Sequence, residues 1–208
     1  MIQLADVRRA LALPAEMSEQ ARFAMSPVPH GLAPSTPPRE AGVLALLTPR
    51  FDGRLQLLLT RRQETLRGHS GQISFPGGQR DPSDPDFTAA ALRETCEELG
   101  ICEPIEILGT LARVYIPPSN FNVYPSVGYL QTLPQLRPNE AEVAEVLTLA
   151  LDDLLDPSVK HVETRVISGY SVCVPYYNVS GHKVWGATAI MLSDLEIRLR
   201  QALNGSLR

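Results

Sequence analysis

The sequence predicts an α/β fold, an α/β/α sandwich around a mixed central sheet. Strand-like runs rich in aliphatic and β-branched residues stand on both sides of one helical stretch that ends at Gly100. A longer helical pattern closes the chain at about 186–203. With 208 residues, 44% hydrophobic and 20% charged, the chain is long enough for one domain with a full core.

Taken in order, residues 1–13 read as a short amphipathic helix with Leu4, Val7 and Leu11 on one face. Arg8 and Arg9 suit a mitochondrial presequence, but Asp6, Glu16 and Glu19 argue against one. Pro27, Pro29, Pro34, Pro37 and Pro38 then exclude helix and central strand, so 26–38 reads as an extended linker. The expected organisation is therefore a helix and Pro-rich linker over 1–38, followed by a domain over 39–208. That domain opens with strands at 42–48 and 54–61, joined by a hairpin at Asp52-Gly53. Phe75-Pro76-Gly77-Gly78 reads as a rigid turn whose glycines let backbone approach a ligand. A loop rich in Asp and Pro follows, and Asp86 or Thr88 can cap the next helix. Further strands are expected at 104–115, 121–131 and 143–149, a short helix at 150–156, and strands at 162–167 and 171–178.

Charge and cysteine content exclude several classes. A net charge of −4 argues against a general nucleic-acid binder. No apolar run approaches the roughly 20 residues that span a bilayer, and no secretory h-region opens the chain. Cys96, Cys102 and Cys173 form no metal-type or redox-type pair and read as reduced thiols of a cytoplasmic protein. The terminal Ser206-Leu207-Arg208 is not the Ser-Lys-Leu peroxisomal address.

The helix ending at Gly100 carries the chemistry. At about 100° per residue, Glu94, Glu97 and Glu98 cluster on one side, while Leu92, Thr95, Cys96 and Leu99 fall opposite and can face a core. Like charges at these spacings repel by roughly a few tenths of a kcal/mol per pair. Oxygen donors converging on a hard divalent cation, Mg²⁺ or Mn²⁺, offset that cost. A solvated acidic face is the alternative for three Glu on a helix taken alone.

A double Gly, a loop, a helix and Arg93-Glu94-Thr95-Cys96-Glu97-Glu98-Leu99-Gly100, in that order, resemble the Nudix box, the signature of the Nudix hydrolases. The helical half matches in full. The glycine half departs: Gln79 stands where the box expects Gly, Pro85 stands where it expects Glu, and Gly78 comes one residue early. A one-residue insertion accounts for this and leaves Asp81 or Asp84 near the place of the missing Glu. Upstream, Leu58-Leu59-Thr60-Arg61-Arg62, then Arg67, Gly71 and Phe75-Pro76-Gly77-Gly78, is similar to the signature of the coenzyme A pyrophosphatase subgroup. Gln63 departs from the Ser or Ala usual there. The two motifs span residues 58–101, with weaker likeness at Glu142-Val143 and 184–189.

The resemblance implies the Nudix fold and a divalent-metal-dependent hydrolase that splits coenzyme A or its thioesters at the diphosphate. It implies Glu97 and Glu98 as core metal ligands, with Glu94 ligating or orienting the nucleophilic water. Glu142 is the candidate general base, with Glu140 and Glu145 as neighbours that could replace it. Arg93 is expected to pair with a Glu and hold its rotamer, while Gly77 and Gly78 shape the metal-site loop beside the substrate. Arg62 and Arg67 suit phosphate groups of coenzyme A, since Arg binds phosphate bidentately. Phe121, in the loop from Ile116, is a candidate for stacking on the base or touching pantetheine. His69 reads as a loop residue, and Trp185 as an anchor of the last helix on the sheet. The partner is a small molecule, with no nucleic acid and no membrane, and the fold often forms homodimers. Two alternatives stand beside this reading: a hydrolase of ADP-ribose or NADH, and a Nudix-fold binding module without catalysis. Such modules typically lose box carboxylates, and all three are present here.

Overall fold

A computed structural model describes residues 1–13, 21, 24–26, 36–65, 71–167 and 169–205. The domain is organised around strand β1 (Arg39–Pro49), whose interior is apolar and buried on both faces. Alternation at period two decides which layer each side chain joins. Leu44 and Leu46 pack with Ala91, Leu99, Ile101 and Leu130 on one face. Val43, Ala45 and Leu47 join Val7, Leu192, Leu195 and Leu199 on the other. Helices therefore cover both faces, giving the α/β/α sandwich around a mixed sheet.

Along one side β1 runs parallel to β7 (Phe121–Tyr129) over nine residue pairs, from Arg39↔Phe121 to Leu47↔Tyr129. Beyond β7, on antiparallel partners, lie β5 (Glu106–Thr110) and β6 (Val114–Ile116). The expected single strand at 104–115 thus divides, with a bulge at Ile107/Gly109 and a break in which Leu111 N–H donates to Pro125 O and Ala112 N–H to Asp194 Oδ2.

On its other side β1 meets β2 (Leu55–Arg62) only near their shared turn, at Leu47↔Leu57 to Pro49↔Leu55. The two strands then splay apart. Residues 73–79 fill the fork: β3 (Ile73–Ser74) pairs with β2, and β4 (Gly77–Gln79) pairs with Ala41–Val43 of β1. Phe75-Pro76-Gly77-Gly78 is therefore not the isolated turn expected from its composition but a rung of the sheet, with Leu44 N–H donating to Pro76 O at 2.9 Å. Local propensity favours a turn; tertiary pairing overrides it. The outer side of β2 pairs with β8 (Val143–Ala150), which leads into the short helix α3 (Leu151–Leu154).

Three helices besides α3 are described. Helix α1 (Leu4–Leu11) buries Val7 and Ala10, and α2 (Phe87–Leu99) carries the acidic residues. Helix α4 (Ala187–Gly205) closes the described chain and packs on α1. Its face toward the protein holds charge as well as Leu192, Leu195 and Leu199. Asp194 and Arg198 pair at 2.9 Å, each side chain 4% exposed, and Arg198 also donates to Leu13 O at 2.8 Å. Buried Glu196 accepts from Tyr177 Oη at 2.6 Å and pairs with Lys160 and Arg200. Each buried carboxylate is thus matched by donors, the condition for tolerating such charge.

A second, three-stranded antiparallel sheet is ordered β11–β10–β9: β9 (Lys160–Ile167), β10 (Tyr170–Val179) and β11 (His182–Trp185). The third strand is additional to those read from sequence. Val184, not Trp185, enters the core, while the Trp185 ring lies 4.6 Å beneath the Arg165 guanidinium. The cysteines also differ from expectation. Cys96 and Cys102 form a disulfide with Cα atoms 4.7 Å apart, and Cys173 is free and exposed. The left-handed Gly100 (φ 71°) turns the chain back at the end of α2 and brings Cys102 to Cys96. No helix among the described residues is long and apolar enough to cross a membrane. The expected linker at 26–38 lies largely outside the described residues.

Candidate functional site

Both ends of α2 are secured by named groups. At the N-terminus Asp86 accepts from Ala89 N–H at 2.7 Å. At the C-terminus, carbonyls left without helical partners are taken by the loop at 137–139, where Arg137 N–H donates to Leu99 O (2.9 Å) and Asn139 N–H to Glu98 O (2.8 Å). The same loop delivers Glu142. Asn139 Nδ2 donates to Glu142 Oε1 at 3.2 Å, and Gln63 N–H, at the end of β2, donates to Glu142 O at 2.8 Å. One loop thereby links the helix end, the end of the Arg62 strand and the candidate base.

Close approach by glycines sets the other wall. A Cβ added to Gly42 would strike the Phe87 carbonyl, so that glycine lets α2 lie against β1. A Cβ on Gly78 would come within 2.5 Å of Glu94 Cδ, so the Glu94 carboxyl rests directly on the β4 backbone. Gly77, at φ 147°, donates its N–H to Glu98 Oε2 at 3.3 Å.

Glu98 differs from the position expected of it. It belongs to the buried side of α2, at 6% exposure, rather than to an open acidic face. Burial pushes its carboxyl up to about 7. The Gly77 N–H and the Arg62 guanidinium oppose that rise, while the charges of Glu94 and Glu142 add to it. Glu94 is also raised by burial, against the pull of Arg93. Glu97 is the exposed member, with 58% of its side chain accessible.

Arg93 gathers the acidic groups. Its guanidinium pairs with Asp84 at 3.0 Å, Glu94 at 2.9 Å and Glu97 at 3.2 Å, and donates to Gln79 O at 3.1 Å. Arg93 hydrogen bonds hold the buried Asp84 carboxyl below the usual carboxylate range. Of the two loop aspartates, Asp84 is the one drawn inward; Asp81 is 59% exposed and 4.0 Å from Arg93.

Among the described residues, no three His, Cys, Asp or Glu side chains already stand in an arrangement that would hold a metal ion. Arg93 instead lies between Glu94 and Glu97 as their counter-charge. The donor set nevertheless fits a hard cation. It is built of carboxylate oxygens, and among the described residues one backbone N–H and a nearby Arg offset the charge of the buried Glu98. Glu94, Glu97 and Glu98 are the side chains that could hold Mg²⁺ or Mn²⁺ there.

Of the remaining candidates, Arg62 and Glu142 come together with Glu94 and Glu98. Glu145 is engaged elsewhere, by Arg61 at 3.0 Å and His182 at 3.4 Å, and Glu140 is exposed. Phe121 is not brought to the carboxylates. It pairs with Arg39, three to four residues along β1 from the partners of Gly78 and Gly77, about 10–13 Å. The Arg39 guanidinium covers its ring at 4.1 Å. Arg67 and His69 lie outside the described residues. Sequence reasoning passed over Gly42 and Asn139. A glycine interrupting an apolar strand is a signal of close backbone approach; Asn139 carried no comparable signal.

A family model described as the NUDIX domain matches residues 38–168. A Photorhabdus laumondii protein named as an uncharacterized Nudix hydrolase is 39% identical over 140 residues, 67% of this chain and 74% of its own length. A human protein named mitochondrial coenzyme A diphosphatase is 39% identical over 158 residues, 74% of this chain and 66% of that protein. A mouse protein named peroxisomal coenzyme A diphosphatase is 40% identical over 118 residues, 56% of this chain and half of that protein. The crystal structure of a MutT protein from Methanosarcina mazei superposes with a TM-score of 0.52 at 19% identity, covering 81% of this chain and 97% of that one. That likeness is one of fold.

Proposed function

The chain belongs to the Nudix hydrolases, enzymes acting on diphosphate bonds, and from that premise we propose that its substrate is coenzyme A or a coenzyme A thioester, split into 4′-phosphopantetheine and adenosine 3′,5′-bisphosphate. The observation that carries the reading is the meeting of buried Glu98, the Gly77 N–H and Arg62 at one end of α2. The strand bearing Arg62 also bears the upstream motif, and relatives named as coenzyme A diphosphatases support the choice of substrate.

In this proposal Glu94, Glu97 and Glu98 hold Mg²⁺ or Mn²⁺. Such a cation, when bound, neutralises diphosphate oxygens and lowers the pKa of a water. Glu142 takes the proton of the attacking water on Oε2, while Asn139 Nδ2 donates to its Oε1 and holds the carboxyl in place. As the water oxygen bonds to phosphorus, the bridging P–O bond breaks and the leaving phosphate carries away the electron pair. Arg93 positions Glu94 and Glu97 without touching substrate, while Arg62 and Arg67 bind phosphate oxygens. The glycine backbone at 77–78 lets β1 and the Glu94 carboxyl close on β4, and so shapes the metal-site wall beside the diphosphate. Phe121 beneath Arg39 stands at a distance suited to a distal part of a long substrate. A cytoplasmic setting belongs to the same proposal. There the Cys96–Cys102 pair would be kept reduced, and Asp86, Gly100 and the 137–139 loop would still hold both ends of α2.

Assay of the purified protein with Mg²⁺ or Mn²⁺ against coenzyme A, ADP-ribose and NADH tests the substrate. Coenzyme A is expected to have the highest kcat/KM by about tenfold or more. Faster turnover of ADP-ribose or NADH would overturn the assignment, and no turnover of any would favour a binding module. Asp84→Asn should raise the cation concentration needed for half-maximal rate by about 10–100-fold, because Arg93 loses its anchor on the loop. An unchanged cation titration would remove the Asp84–Arg93 pair from the positioning role.

A further inference from the structure

Strands β1, β7 and β8 begin, and β2 ends, at one end of the large sheet, because β7 runs parallel to β1 while β2 is antiparallel to β1 and β8. Arg62 and Glu142 stand at that end, and so does Arg39, the first residue of β1. Arg39 is exposed and carries no counter-charge. Its Nη2 donates to Ser119 O at 3.2 Å; among the described residues its Nε and Nη1 meet no acceptor, and no carboxylate stands within ion-pair distance. Glu40, next in the chain, points to the other face of the sheet and accepts from Tyr124 Oη at 3.1 Å. In a chain of net charge −4, such a guanidinium is a place for an anion.

The side chain is also held in place. Its guanidinium lies over the Phe121 ring at 4.1 Å, and Phe121 packs in turn against the core beneath α4. Arg39 N–H donates to Asn120 O at 2.9 Å. Asn120, left-handed at φ 51°, accepts from Tyr115 Oη at 3.0 Å and donates to Thr36 Oγ1 at 2.9 Å. Pro117 and Pro118 stiffen the turn before it. A cation so anchored loses little freedom when it binds. Arg39 also occupies the ring face that a base would need, so the pair presents a planar cation and not an aromatic surface.

Besides its diphosphate, coenzyme A carries a phosphate monoester at the ribose 3′ position, whose oxygens match the fork of an arginine. With the diphosphate beside Glu94 and Glu98, the remaining span along β1 to Arg39 is about 10–13 Å, which the ribose and the arginine side chain together can cover. We propose that Arg39, carried on Phe121, reads the 3′-phosphate of coenzyme A and so sets the preference for substrates that bear it. The inference rests on coenzyme A being the substrate, and it leaves the diphosphate to Arg62.

The test compares coenzyme A with dephospho-coenzyme A, the same molecule without its 3′-phosphate. The native chain should favour coenzyme A in kcat/KM by about 10–100-fold, the range of a charge-assisted contact. Arg39→Ala should bring that ratio close to one, through KM for coenzyme A and not kcat, and Arg39→Lys should keep part of it. Calorimetric titration reads the same contact without turnover. Adenosine 3′,5′-bisphosphate should bind the native chain more tightly than AMP by a similar factor, and Arg39→Ala should erase the difference. A variant that loses both substrates in equal measure, with the ratio kept, shows that Arg39 only braces the 115–121 loop, and the proposal is overturned. So is it if the native chain hydrolyses coenzyme A and dephospho-coenzyme A alike. Preference for ADP-ribose or NADH over both would instead bring down the substrate assignment, and this inference with it.

Discussion

Glu98→Gln is expected to abolish turnover and, at pH 8 without divalent cation, to raise the melting temperature. The two effects have one origin. The Glu98 carboxyl is raised from 4.5 to about 7 by burial, so the folded protein favours its protonated form. A raised carboxyl contributes its full stability below the unfolded value, near pH 4.5, and loses it as pH rises toward 7. Above pH 7 the buried charge costs about 3 kcal/mol relative to the acid form. Gln carries no charge at any pH, and its side-chain oxygen can still accept from Gly77 N–H. The variant should therefore melt about 5–10 °C higher at pH 8 and nearly alike at pH 4.5. Mg²⁺ should raise the melting temperature of the native chain at pH 8 and leave that of Glu98→Gln unchanged. Thermal melts across pH, with and without cation, beside steady-state rates, are the measurement. Full activity in the variant, or a lower melting temperature at pH 8, would sink the assignment of Glu98.

Alanine at the two adjacent glycines should separate chemistry from folding. At Gly78 the nearest atoms to the new methyl all belong to the Glu94 carboxylate, the far end of a flexible side chain, which can swing aside. The fold should survive with a small change in melting temperature, while displacement of Glu94 by about 1 Å or more lowers kcat by roughly 100-fold or more. At Gly77 the methyl meets backbone, Gly42 O and Val43 Cα, and φ is 147°. Nothing there can yield without breaking the β1–β4 rung. Backbone strain alone costs about 1–3 kcal/mol, so Gly77→Ala should lose several degrees of melting temperature together with activity. If Gly78→Ala melts as early as Gly77→Ala, the close approach of Glu94 to β4 is wrong.

The sandwich was legible because its signals are local. The continuous apolar run of β1, the long pattern of α4 and the Gly100 stop on α2 each follow from one local rule, and each element stands within a few residues of its expected bounds. The pieces less legible depend on contacts distant in sequence. Gly77 and Gly78 read as a turn because glycine weakens strands, yet β1 and β2 splay and receive them as a rung. The charged residues of α4 carried no sequence signal of burial, because Asp194 and Glu196 find Ala112, Tyr177 and Lys160 only after folding. Glu98 was expected on an open acidic face; its burial depends on β4 arriving beneath the helix, and only then is its carboxyl raised. Cys96 and Cys102, six residues apart, match no standard pairing motif and meet because the left-handed Gly100 reverses the chain between them. Arg93 was expected to pair with a Glu, and Asp81 or Asp84 to stand near the place of the missing Glu; the grip of Arg93 on Asp84 joins the two across the inserted loop and carried no signal of its own.

The wedge of residues 73–79 in the fork of the sheet has a consequence for how this site meets its ligand. Lids and flaps are peripheral loops that order on binding, and their ordering entropy is subtracted from affinity. Here the backbone facing Glu94 and Glu98 is an interior rung, hydrogen-bonded to β1 before any substrate arrives. That wall is pre-organised: it was immobilised once, during folding, and every later encounter begins with it in place.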